Sequence, residues 1–146
     1  MSFPPIEQLL PHRPPMLWID AVTWHHGDSI RCALQIRDQV FVVNGEVDPV
    51  VSIEWMAQTV GALVGLYDHS QEQVPRPGYL IAVPEAEFMV DRFVVGDQLD
   101  LHARRTWGDS TLASFEARVE RDGKVAARAQ LSVYRRKLGD SSSEVP

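Results

Sequence analysis

Glu54 and Gln58 lie one helical turn apart at the start of a long apolar run, and they are the first side chains here that could do chemistry. A carboxylate buried in such a run is pushed toward its protonated form, so it can hold a proton to donate. An amide four residues later reaches it and can fix its orientation. The helix dipole alone would also favour a carboxylate at that place. Backbone N–H groups just ahead, near Val50 and Val51, could steady a developing oxyanion. Gly61 and Gly65 continue the same helical line, and two glycines there imply that something comes close: a packed segment or a substrate channel.

A base to complement the acid has five candidates. His25 and His26 flank a turn signal, and His102 falls on the polar side of an alternating stretch. His69 follows the apolar run, where the dipole alone favours it. His12 sits in a proline-rich opening, where bonding the backbone of a turn competes with a catalytic role. Cys32 is the single cysteine, which excludes an intramolecular disulfide and a cysteine-based zinc cluster. Its alternating apolar position reads as a buried thiol. No His/Asp/Glu spacing suggests a metal, and the glycines form no phosphate loop, so neither metal nor cofactor is expected.

The elements that must position these residues follow from period and punctuation. A short helical turn is expected over Ile6–Leu10, between prolines. Met16–Ile19 and Ala21–Trp24 read as a strand, and Gly27 supplies the positive φ of a tight hairpin. Ile30, Cys32, Leu34 and Ile36 then alternate with polar residues. The period changes to helical over Val50–Tyr67, where Ile53, Met56, Ala57, Val60, Leu63 and Val64 form a stripe. Beyond it come a strand over about Tyr79–Val90, with Pro84 marking an edge or bulge, and two alternating stretches. The last of these is joined to a further strand by Asp122-Gly123, a two-residue hairpin signal. The expected class is α+β, an antiparallel sheet wrapped around one long central helix, with open edges that pair with another subunit.

The bulk numbers bound the rest. The 146 residues fit one domain, residues 1–137, followed by a polar tail over 138–146 expected to be disordered. A net charge of -6 argues against a nucleic-acid binder, which needs a Lys/Arg patch against phosphates. The opening residues lack the basic start of a signal peptide, and no stretch approaches the ~20 apolar residues of a membrane span, so a cytoplasmic protein is expected.

Three segments carry a resemblance. Leu9-Leu10-Pro11-His12-Arg13-Pro14-Pro15-Met16-Leu17-Trp18-Ile19-Asp20 resembles the opening of FabZ-type β-hydroxyacyl-ACP dehydratases. Ser52-Ile53-Glu54-Trp55-Met56-Ala57-Gln58 is similar to the start of their central helix, and Val94-Val95-Gly96-Asp97-Gln98-Leu99 to the lead into their later strands. The resemblance implies a hotdog fold, a dimer, and acyl chains carried on phosphopantetheine of an acyl carrier protein. It matches Glu54 to the family's acidic residue. The stretch Val40–Pro49, where that family carries a catalytic histidine, has none, and the pattern resembles the dehydratase-like subgroup of aryl-polyene biosynthesis.

The implied reaction is loss of water from a 3-hydroxyacyl thioester. It needs a base for the C2 proton, an acid for the C3 hydroxyl, and stabilisation of the thioester oxygen. Glu54 and His12 are the catalytic candidates; Gln58, Val50, Val51 and Gly61 are the substrate-binding ones. The competing readings are a non-catalytic subunit of an active dehydratase, in a homodimer or a heterodimer with a related hotdog subunit, and an acyl-CoA thioesterase, because a fold does not fix chemistry.

Overall fold

Positive φ at Gly27 lets β1 (Ala21–His26) turn back sharply into β2 (Ser29–Gln35). The computed structural model describes residues 2–74 and 76–136; the expected tail over 138–146 lies outside the described residues. Next come β3 (Glu46–Val47), the helix α1 (Ser52–Ser70) and β4 (Gly78–Phe88). They are followed by β5 (Phe93–Val94), β6 (Gln98–Gly108), β7 (Leu112–Arg121) and β8 (Lys124–Arg135). Asp122 and Gly123 both take positive φ in the β7–β8 turn, the requirement of the tight hairpin their types announce.

Six strands form one antiparallel sheet in the order β1-β2-β6-β7-β8-β4, and α1 packs against β2, β6, β7 and β8. This is the sheet around one helix that the patterning implies. Alternation aims Ile30, Cys32, Leu101, Phe115, Val119 and Leu131 inward, all nearly free of solvent contact. Burial pushes the Cys32 thiol up to about 12, so it is a core side chain. β4 is an edge strand, and its register with β8 shifts between Ala82 and Glu85, at Pro84.

Four expectations need correcting. Met16–Ile19 is not a strand: β1 begins at Ala21, and the earlier segment leaves a turn at Arg13 and is held to the helix by Gln58. The helix spans Ser52–Ser70 instead of Val50–Tyr67, because Pro49–Val51 form a tighter 3-10 turn capped by Asp48. Its buried face is also rotated. Trp55, off the expected stripe, is fully buried, whereas Ile53, Ala57 and Val64 are only half-buried. Trp55 packs tilted against Trp18, at 5.3 Å, and edge-on against Phe93, at 4.9 Å, and this aromatic row outcompetes the aliphatic stripe for the core.

The fourth correction concerns length and hydropathy. Pro49–Ser70 is a helical stretch of 22 residues with mean hydropathy 1.3, long and apolar enough to cross a membrane by those two measures. In this fold half of its most apolar 18-residue window is buried.

At the far end of α1, Asp68 is buried and takes both Nη1 and Nη2 of Arg135 at 3.0 Å, with Arg76 at 3.3 Å. The pair joins the helix end to the end of β8. Removing one partner of such a buried pair would cost about 3–5 kcal/mol.

Candidate active site

The opening segment reaches α1 because the helix offers it two glycines. A Cβ on Gly65 would stand 2.1 Å from the Leu9 carbonyl oxygen, and one on Gly61 would stand 2.8 Å from the Leu10 side chain. Leu9 and Leu10 are buried there, so the glycine line admits a packed segment. At Gly61 it is the Leu10 side chain that occupies the space the glycine leaves.

Arg13 shapes the next turn. Its guanidinium donates to the carbonyls of Leu10 at 2.9 Å, His12 at 2.6 Å and Glu7 at 3.1 Å. A planar fork suits several acceptors in fixed directions. His12, held in that turn, brings Nε2 to 3.8 Å from Glu54 Oε2. The two side chains are 35% and 36% exposed, so they share a partly open site and the deep burial expected of Glu54 is absent.

Gln58 is fully buried and completely engaged. Its amide nitrogen donates to Glu54 Oε2 at 2.8 Å and to the Met16 carbonyl at 2.7 Å. Its oxygen accepts from the Trp18 N–H at 2.9 Å. With both donors and its acceptor engaged, Gln58 has no N–H for substrate; it orients the carboxylate and anchors the Met16–Ile19 segment.

The backbone donors expected at Val50 and Val51 are also committed. Val50 N–H donates to Asp48 Oδ1 at 2.9 Å, and Val51 N–H to the Asp48 carbonyl at 3.0 Å. Asp48 consumes both by capping the 3-10 turn, so neither is an oxyanion donor.

The remaining histidines lie elsewhere. His25 Nε2 bonds the Gly27 carbonyl at 3.0 Å, and His69 is in the last turn of α1, about four turns from Glu54. His102 stands on the outer sheet face between Arg118, 3.1 Å from Nδ1, and Glu120, 3.3 Å from Nε2. Burial, then the neighbouring Arg118, hold the His102 ring below its usual range, and the Arg118 hydrogen bond does the same to Glu120.

Against this geometry, residues 4–144 match the family model described as ApeP-like, ApeP dehydratase. The chain belongs to the ApeP-like dehydratase family. A 3-hydroxyacyl-[acyl-carrier-protein] dehydratase FabZ from Streptococcus equi subsp. zooepidemicus is 30% identical over 138 residues, 90% of this chain and 96% of that one. A solved chain of the dehydratase heterocomplex ApeI:P from Xenorhabdus doucetiae superposes with a TM-score of 0.87 at 24% identity, covering 94% of each. A hypothetical thioesterase solved with coenzyme A from Streptococcus pneumoniae shares the fold with a TM-score of 0.60 at 8% identity, covering 79% of this chain and 84% of its own. The fold is the hotdog. In this member of the ApeP-like family the fold brings His12 and Glu54 together across 42 residues of chain.

Proposed function

We propose that this protein removes water from 3-hydroxyacyl chains presented on an acyl carrier protein, with Glu54 and His12 as the catalytic pair. The observation that carries the reading is the 3.8 Å approach of His12 Nε2 to a Glu54 carboxylate whose other neighbour, Gln58, is fixed by two backbone groups. Dehydration asks for a proton-moving group and a polar partner within reach of adjacent carbons, and this pair offers both. Membership of the ApeP-like family supports elimination over hydrolysis.

A second reading is kept by one observation: the loop over Val40–Pro49 contains no histidine, while its Phe41 and Val43 are exposed. A related hotdog subunit seated beside this loop and along β4 would complete the site. The relative in the ApeI:P heterocomplex supports that kind of partner.

The test is turnover of a 3-hydroxyacyl thioester by the protein alone and with a related hotdog subunit. Glu54→Gln is expected to lower turnover by at least ~10²-fold, the scale of a lost general acid or base, with folding intact. A folded variant that dehydrates like wild type removes Glu54 from the mechanism. Activity confined to the mixture, and unchanged by Glu54→Gln, favours the supporting subunit. Free acid as the product would mean a thioesterase.

A further inference from the structure

We propose that Glu54 alone moves the proton of the elimination, and that His12 serves as a hydrogen-bond donor, its Nε2–H binding the thioester oxygen. This rests on the dehydratase reading and assigns roles within it.

The assignment starts at the other ring nitrogen. His12 Nδ1 is buried and has no hydrogen-bond partner. An enclosed N–H without a partner loses its water with nothing in exchange. Hydrogen on Nε2, the nitrogen that faces Glu54, leaves only an acceptor lone pair enclosed at Nδ1. With a hydrogen already on Nε2, the ring cannot take the C2 proton there. It can donate.

The donor is also unused. The 3.8 Å to Glu54 Oε2 exceeds hydrogen-bond length, and that oxygen already accepts from Gln58 at 2.8 Å. The site meanwhile lacks its expected oxyanion donors, since Asp48 has taken the N–H groups of Val50 and Val51. A ring N–H is the group that can replace them.

Glu54 keeps one oxygen for the reaction. No hydrogen bond among the described residues reaches Oε1, whereas Oε2 is held by Gln58. Oε1 takes the proton from C2, and the C2–H electrons pass onto the thioester oxygen as an enolate; they then return to form the C2–C3 double bond as the C3–O bond breaks. The departing hydroxide receives that same proton from Oε1 and leaves as water, which returns Glu54 to its carboxylate. His12 Nε2–H binds the thioester oxygen while it gains charge and gives up no proton.

Two measurements test this. A glutamine side chain can place an N–H where Nε2 stands but cannot act as a base, while asparagine reaches only the Nδ1 position. His12→Gln is expected to lose no more than about tenfold in turnover, and His12→Ala and His12→Asn about 10²–10³-fold, the scale of a lost oxyanion donor. Equal losses in all three folded variants would make His12 a base and overturn the assignment. Nitrogen NMR of the histidine rings, taken well above the usual histidine range, is expected to show the His12 hydrogen on Nε2; hydrogen on Nδ1 overturns it. If wild type turns over no thioester, the dehydratase reading has failed separately. Crotonyl-pantetheine added to that protein still decides the donor role, because an unmoved Nε2–H resonance ends it.

Discussion

Gln58 shows how much a single residue arranges. Its amide satisfies two backbone groups that a neighbouring strand would otherwise satisfy, and it orients Glu54 with the hydrogen that remains. The Glu54–Gln58 relation was legible in the sequence, because i and i+4 meet on any helix. The approach of His12 was not, since it depends on a packing contact between segments 42 residues apart. A prediction at this scale concerns His102. Its folded ring resists protonation, so the unfolded chain takes the proton first, and stability falls as pH drops below the usual histidine value of 6.5. Glu120, whose carboxyl is held low, contributes stability above its ordinary 4.5 that is lost only at lower pH. Urea unfolding of His102→Gln across this range is expected to flatten the upper part of the acid loss and leave the lower part. A slope identical to wild type near pH 6 would show that His102 is not responsible.

At the scale of elements, the glycine line and the opening segment form one device. Gly65 accepts the Leu9 backbone where a Cβ would collide with it, and this contact sets the height of the turn that carries His12. Gly65→Ala must push that segment away from the helix. It is expected to cost about 1–3 kcal/mol, as overpacking usually does, and to lower turnover through displacement of His12. Thermal unfolding and kinetics check both effects; an alanine variant with wild-type stability and turnover would show that the approach is loose. The hairpins and alternating strands were legible because turn residues and period 2 are local signals. The rotation of α1 was not, because it is decided by Trp18 and Phe93, which come from either side of the helix in sequence. Met16–Ile19 reads as a strand for a related reason. Its Met16 carbonyl and Trp18 N–H are paired, but with the Gln58 side chain instead of a strand, and composition does not distinguish the two.

For the whole molecule, the exposed edge is the dominant surface feature. β4 has eleven residues and none is buried; Leu80, Ile81 and Phe88 stand exposed on or beside its open side. Long apolar edges invite another strand. We expect β4 to pair with a second hotdog subunit. Ile81→Lys is expected to convert a dimer at micromolar concentration to monomer in sedimentation, without loss of secondary structure. A wild-type chain that sediments as a monomer alone and with a related subunit would count against this edge as an interface. Ile53, Ala57 and Val64, half-buried along α1, would gain cover in the same assembly or from an acyl chain.

The order of elements along the chain gives α1 a history as well as a place. Only β1, β2 and β3 are synthesised before it; β6, β7 and β8, which cover most of its buried face, come after. At ribosomal speeds of roughly 5–20 residues per second, the stretch from Ser70 to Arg135 takes about 3–13 seconds to make. Throughout that interval a helix apolar enough to enter a bilayer lacks the strands that will cover it. Whatever chaperone or translocation machinery samples nascent apolar segments meets this one before most of its sheet exists, so the order of synthesis, and not only the finished fold, decides what the helix first encounters.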